Sequence, residues 1–119
     1  MLFLLGGCSS SRDADVEQLA ERFHAALAKE DGSAACDLLS EAAQEELGSE
    51  GDSCEVAVLD SGVPDNGRVE RVEVFDTSAQ VRYDQDVIFL SDFPDGWKII
   101  GAGCTRVAEK PYDCEIHGG

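Results

Sequence analysis

Val87-Ile88-Phe89-Leu90-Ser91-Asp92-Phe93-Pro94-Asp95-Gly96-Trp97-Lys98-Ile99-Ile100-Gly101-Ala102 is the stretch on which the fold class turns. Two apolar runs flank Pro94-Asp95-Gly96, and Pro, Asp and Gly are the residues a tight turn uses. Val87–Phe93 and Trp97–Ala102 are therefore expected to pair as an antiparallel hairpin. Upstream, Val69–Phe75 alternates Val72 and Val74 with Arg71 and Glu73, and Ala79–Tyr83 repeats the alternation, which is the period of a half-buried strand. Downstream, a short last strand is expected over Asp113–Ile116.

Further toward the N-terminus, before the turn-rich loop Ser61-Gly62-Val63-Pro64-Asp65-Asn66-Gly67, the period is helical. Asp13 can cap a helix over Ala14–Glu30 that gathers Val16, Leu19, Ala20, Phe23 and Leu27 on one face and turns Glu17, Gln18 and Glu21 away. Asp31-Gly32 ends it. Ser33 is expected to cap a second helix over Ala34–Leu47, with Leu38, Leu39, Ala42 and Leu47 buried and Gly48 as the stop. Ser53 opens a short third helix over Cys54–Leu59. Helices first and an antiparallel sheet of about four strands afterwards make an α+β architecture.

A chain of 119 residues fits one domain. Its formal charge of −16 and pI near 4.1 argue against nucleic acid, whose binding needs clustered Lys and Arg. The same charge repels an anionic lipid surface, so any membrane attachment has to come from a lipid rather than from the domain's own face. The acidity is read first as solubility.

Leu5-Gly6-Gly7-Cys8, with the apolar run Met1–Leu5 before it and Ser9-Ser10-Ser11 after it, reads as a bacterial lipoprotein cleavage and lipidation site. Small residues before the cysteine let the processing enzymes reach the backbone, and the thiol is the group acylated. The apolar run is shorter than the roughly 7–15 residues of a secretory signal, so either a translation start upstream of Met1 or a truncated chain is expected, with a basic start and most of the apolar segment missing. The division is then residues 1–7 as a signal remnant, 8–12 as a lipidated tether and 13–119 as a single domain. Two or three acyl chains on Cys8 would hold the protein to the bilayer, on the extracytoplasmic face of the bacterial cell membrane. With Cys8 acylated, Cys36, Cys54, Cys104 and Cys114 form an even set in an oxidising compartment. Of the three pairings, the local one, Cys36 with Cys54 and Cys104 with Cys114, is preferred. Their spacings contain no C-x-x-C, so no metal and no cofactor are expected.

Val87-Ile88-Phe89-Leu90, Phe93-x-x-Gly96-Trp97-Lys98-Ile99, Gly101-Ala102-Gly103-Cys104 and Pro111-Tyr112-Asp113-Cys114 together resemble a group of uncharacterised actinobacterial lipoproteins. Cys36-Asp37-Leu38-Leu39 and Cys54-Glu55-x-Ala57-Val58 extend the resemblance into the helical half. That group looks like part of the nuclear transport factor-like superfamily. The resemblance implies N-terminal helices packed on a strongly curved antiparallel sheet, forming a cone, with the four later cysteines in two disulfides. In the superfamily the cone serves either as an enzyme pocket lined by buried Asp, His and Tyr or as a binding or dimerising scaffold, so the fold alone leaves activity open.

An acid–base enzyme needs a carboxylate or imidazole with a shifted pKa and a partner to orient it. His24 follows Phe23 beside the apolar stripe of the first helix and can face the sheet or the helix flank. Tyr83, Asp84 and Asp86 cluster, but Asp84-Gln85-Asp86 falls between two strands, where Asp serves turn geometry. Trp97 is a packing anchor at the start of a hairpin or, at a cone mouth, a ligand platform. His24, Tyr83 and Trp97 are thus the candidate pocket residues, with no catalytic set assigned. Ser40 has no nucleophile-elbow glycines around it, and Asp60, Asp65, Asp92 and Asp95 lack the regular calcium-loop spacing. The expected function is a lipid-anchored, non-catalytic binding or accessory module of the cell envelope, its partner an envelope protein or a small apolar ligand. The alternative is a small-molecule isomerase or hydratase using the cone pocket.

Overall fold

The computed structural model describes residues 7–49, 51–105 and 112–118, with side chains from Ser11 onward. Met1 to Gly6 of the expected signal and the side chain of Cys8 lie outside the described residues. Four helices precede five strands: α1 Gly7–Ala28, α2 Gly32–Asp37, α3 Glu41–Gly48, α4 Cys54–Leu59, β1 Val69–Phe75, β2 Ser78–Tyr83, β3 Val87–Phe93, β4 Gly96–Thr105 and β5 Asp113–His117.

The long helix buries Val16, Leu19, Ala20, Phe23, Ala26 and Leu27, the stripe expected from a 3.6-residue period. It starts at Gly7 rather than after a cap at Asp13, so Ser9–Arg12, expected as a tether, are helical. It ends at a left-handed Glu30 (φ 57°), where Asp31 N–H reaches Ala26 O and Glu30 N–H reaches Leu27 O. That pattern satisfies carbonyls which the last turn would leave unpaired. Gly32 has a different task. A Cβ there would sit 2.1 Å from the Glu55 carbonyl oxygen, so glycine allows α2 to lie against α4.

The expected second helix is two helices. Asp31, not Ser33, caps α2 by accepting from Ala34 N–H, and Ser40 caps α3 by accepting from Ala43 N–H. Between them the backbone leaves the helix to pair with β4: Ile99 N–H donates to Leu38 O and Ser40 N–H to Ile99 O, each at 2.9 Å. Leu38 and Leu39 stay buried, whereas Ala42 is exposed and Ala43 takes the core position. The third helix, capped by Ser53, runs as expected.

The sheet is an antiparallel meander in the order β1-β2-β3-β4-β5, five strands against about four expected, with the short segment from Asp113 forming the fifth. The Pro94-Asp95 turn closes β3 onto β4 with Phe93 opposite Gly96. Val87, Phe89 and Leu90 face Cys104, Gly101 and Ile99, so β4 carries an extra residue at each of two register shifts. Extra residues bend and twist the strand that holds them. The bend lets β5 pair with Gly101–Thr105 while the Leu38–Ser40 segment meets the other half of β4 at Ile99.

Ala79, Val81, Tyr83, Ile88, Leu90, Ile99 and Ile116 form the inner face of the sheet and join the α1 stripe in one core. Phe23 and the aliphatic side chains fill this space. Phe75, by contrast, is 63% exposed at the end of β1. Both local cysteine pairs are bonded: Cys36–Cys54 clamps α2 to α4, and Cys104–Cys114 joins directly opposed residues of β4 and β5.

Candidate functional site

The polar cluster of the interior is assembled from α1 and from the ends of β2 and β3. His24 lies one turn from Ala20 on the α1 stripe and is therefore carried inward. Tyr83 shares the inward parity of Ala79 and Val81 on β2. The short connection to β3 is closed by Tyr83 N–H donating to Asp86 O at 2.7 Å. Asp84 does the turn's work here: its N–H donates to Arg68 O, and its carboxylate accepts from Arg68 N–H at 3.1 Å.

Asp86, expected as a second turn carboxylate, points inward instead. It shares the alternation of Ile88 and Leu90, and that parity is the sequence signal that marks it as an interior residue. Its Oδ2 accepts from Gly103 N–H at 3.1 Å. Gly103 holds φ 66°, and a Cβ on it would meet Glu115 Cγ at 2.9 Å, so the turn of backbone that aims this N–H at Asp86 depends on glycine.

His24, Tyr83 and Asp86 are each 3–4% exposed. The His24 and Tyr83 rings stack at 4.3 Å, tilted by 44°. Asp86 Oδ1 stands 3.9 Å from His24 Nε2, beyond hydrogen-bond reach. His24 Nε2, Asp86 Oδ1 and Tyr83 Oη have no hydrogen-bond partner among the described residues. Glu21 of α1 approaches the Tyr83 hydroxyl closely enough to act on its charge without completing the bond. Three such atoms side by side are notable, because buried polar groups are nearly always paired.

Burial sets the electrostatics. It lowers the pKa of His24, with the Asp65 carboxylate opposing, so the imidazole is neutral at pH 7. It pushes Asp86 up to about 6; the Gly103 N–H works against that rise and the Asp84 charge adds to it. Burial also raises Tyr83, helped by the nearby carboxylates of Glu21, Asp86 and Glu17, so the phenol stays protonated. A carboxyl raised to about 6 beside a neutral imidazole supplies the two group types that acid–base work uses, although at 3.9 Å they share no proton.

Access to the pair is poor. Tyr83 and Asp86 border a shallow opening of about 280 Å³ beside Tyr112 and Thr105, but His24 does not reach it. A larger surface groove of about 760 Å³, between α3 and the β3–β4 turn, is lined by Ser40, Gln44, Phe93 and Lys98 and is remote from the cluster. Trp97 opposes Asp92 at the far end of β3, beneath the Arg12 guanidinium at 5.5 Å, so it does not join His24 and Tyr83. The expected trio is thus a pair plus a separate packing anchor, and Asp86 is the member that sequence reading placed elsewhere.

Among the described residues no group of three or more His, Cys, Asp or Glu could hold a metal ion, and no helix is long and apolar enough to cross a membrane. Comparison with family models, with curated proteins and with solved structures found no match to this chain.

Proposed function

We propose that this chain is a lipoprotein domain anchored through acylated Cys8 at the extracytoplasmic face of a bacterial membrane, where it acts as a non-catalytic binding or accessory module. The observation that carries the reading is the filled interior: Phe23, Ile88, Leu90, Ile99 and Ile116 occupy the space between α1 and the sheet, and His24 is sealed behind them. Two disulfides, one in each half of the fold, support an oxidising compartment. The order of helices before a sheet bent by bulges in β4 agrees with the nuclear transport factor-like resemblance, and the cone belongs to this proposal. Replacing Cys8 with Ser tests the anchor. The variant should leave the membrane fraction, and continued attachment would remove the lipid from the account.

One observation favours a second reading, the small-molecule isomerase or hydratase. Asp86 borders an opening while its Oδ1 faces His24 with no bond made. If the pair is catalytic, turnover of a substrate found by screening is lost in both His24→Gln and Asp86→Asn. Unchanged turnover in either variant excludes the pair.

A further inference from the structure

The two sides of the sheet are finished differently. On the β4–β5 side, the first half of β4 is covered by the Leu38–Ser40 segment, and Gly118 after β5 lies against α3 at Ala43. On the other side, β1 pairs with β2 alone, and among the described residues nothing is hydrogen-bonded to its outer edge as a strand or bridge. Val72 and Val74 are only partly buried, although their neighbours across the pair, Val81 and Ala79, are 0% and 4% exposed.

We propose that β1 is a self-association edge, through which two copies of this chain pair antiparallel about a twofold axis at Val72, extending the sheet across both molecules. The occupant is argued from the strand's own charge order, Val69-Glu70-Arg71-Val72-Glu73-Val74-Phe75. In antiparallel register about Val72, Arg71 of each copy faces Glu73 of the other, and the contact occurs twice by symmetry. Val72 faces Val72 and continues the apolar inner row. Glu70 falls opposite Val74, so no like charges are directly opposed.

Charged residues on an edge strand ordinarily block pairing. Here they block unrelated strands, which would have to match Glu70, Arg71 and Glu73 in order, and admit a second copy. Within one molecule Arg71 Nε already reaches Glu73 Oε2 at 2.6 Å, with the Arg71 side chain 62% exposed. Both groups therefore stand on the outer face; Glu73 Oε1 also accepts from Gln80 Nε2 at 2.6 Å, so Arg71 is the partner that reaches across to the second copy's Glu73. Phe75, at the end of the same strand, gains cover from the second molecule's β1. The charge of −16 on each copy opposes association over long range, and physiological salt screens it beyond about 8 Å.

Analytical ultracentrifugation of the full chain across a concentration series at physiological salt tests this. The wild type should shift from monomer to dimer mass, Arg71→Glu should remain monomeric throughout the series, and the swap Arg71→Glu with Glu73→Arg should regain the dimer. Circular dichroism and non-reduced mass establish that each variant is folded with both disulfides. Val72→Cys supplies a second measurement on an otherwise unchanged strand. Two opposed thiols at the axis should cross-link into a dimer on oxidation, whereas Glu70→Cys, displaced from the axis, should not. A wild type monomeric at every concentration, an Arg71→Glu variant that dimerises as well as the wild type, or equal cross-linking of the two cysteine variants would overturn the proposal.

Discussion

Asp86 and His24 oppose each other in their response to pH, and the sign of each follows from burial. The carboxyl of Asp86 is raised to about 6 in the folded chain against about 3.9 unfolded. Its ionised form is penalised above pH 6, and the fold gains stability as pH falls from 7 toward 5. His24 is lowered, so its penalty lies below the unfolded value of about 6.5, and the fold loses stability over the same window. In the wild type the two partly cancel. Asp86→Asn keeps an acceptor for Gly103 N–H and leaves only the His24 response, so its stability should fall on acidification from pH 7 to 5. His24→Gln leaves only the Asp86 response, and its stability should rise over the same window. Urea unfolding at several pH values reads this directly, and parallel profiles for the two variants would contradict it. The sequence showed half of this pair. His24 adjoins an apolar stripe and Tyr83 shares the parity of Val81. Asp86, however, carries two signals: turn propensity assigns it to the loop and alternation with Ile88 assigns it to the interior. Tertiary packing decides between them.

Among the elements, the strands were legible and the second helix was not. Val69–Phe75 and Val87–Phe93 have the expected bounds because alternation and the Pro94-Asp95-Gly96 turn speak for one structure only. Leu38-Leu39 fits two structures. The pair suits a helix face, yet it also suits an extended segment against a sheet, and the free backbone of Ile99 on β4 draws it into the second. No local pattern announces that partner, which lies 60 residues on. The break makes Ser40 an N-cap, buried and bonded to Ala43 N–H. Ser40→Ala should cost about 1 kcal/mol, whereas Ser33→Ala, at the position first expected to cap, should change stability by less than about 0.5 kcal/mol. Equal effects at the two positions in thermal unfolding would argue for the continuous helix. Leu39→Ala should cost roughly 2–5 kcal/mol, since Leu39 is 1% exposed where this segment meets the core.

For the molecule as a whole, the acidic surface and small core leave much of the stability to the covalent cross-links. Cys36–Cys54 encloses part of the helical half and Cys104–Cys114 part of the sheet, with sequence separations of 18 and 10. Removing either by paired serine substitution should cost about 2–5 kcal/mol and lower the midpoint of thermal unfolding. Calorimetry with and without reductant checks this, and an unchanged midpoint on full reduction would deny the bridges a stabilising role. The pairing was within reach of the sequence because each cysteine has one near neighbour along the chain and an even set remained once Cys8 was assigned to lipid. The interior filling was not, because the same apolar strands could have lined a hollow or closed on Phe23.

Cys8 joins these scales in the proposed function, where its acylation would set the compartment in which the two bridges form. Intact mass spectrometry of the non-reduced protein extracted from bacterial membranes tests that link most directly. The account predicts a chain beginning at Cys8 that carries the added mass of its acyl groups, with Cys36, Cys54, Cys104 and Cys114 all oxidised within the molecule. An unmodified Cys8 with free thiols at the other four positions would contradict it.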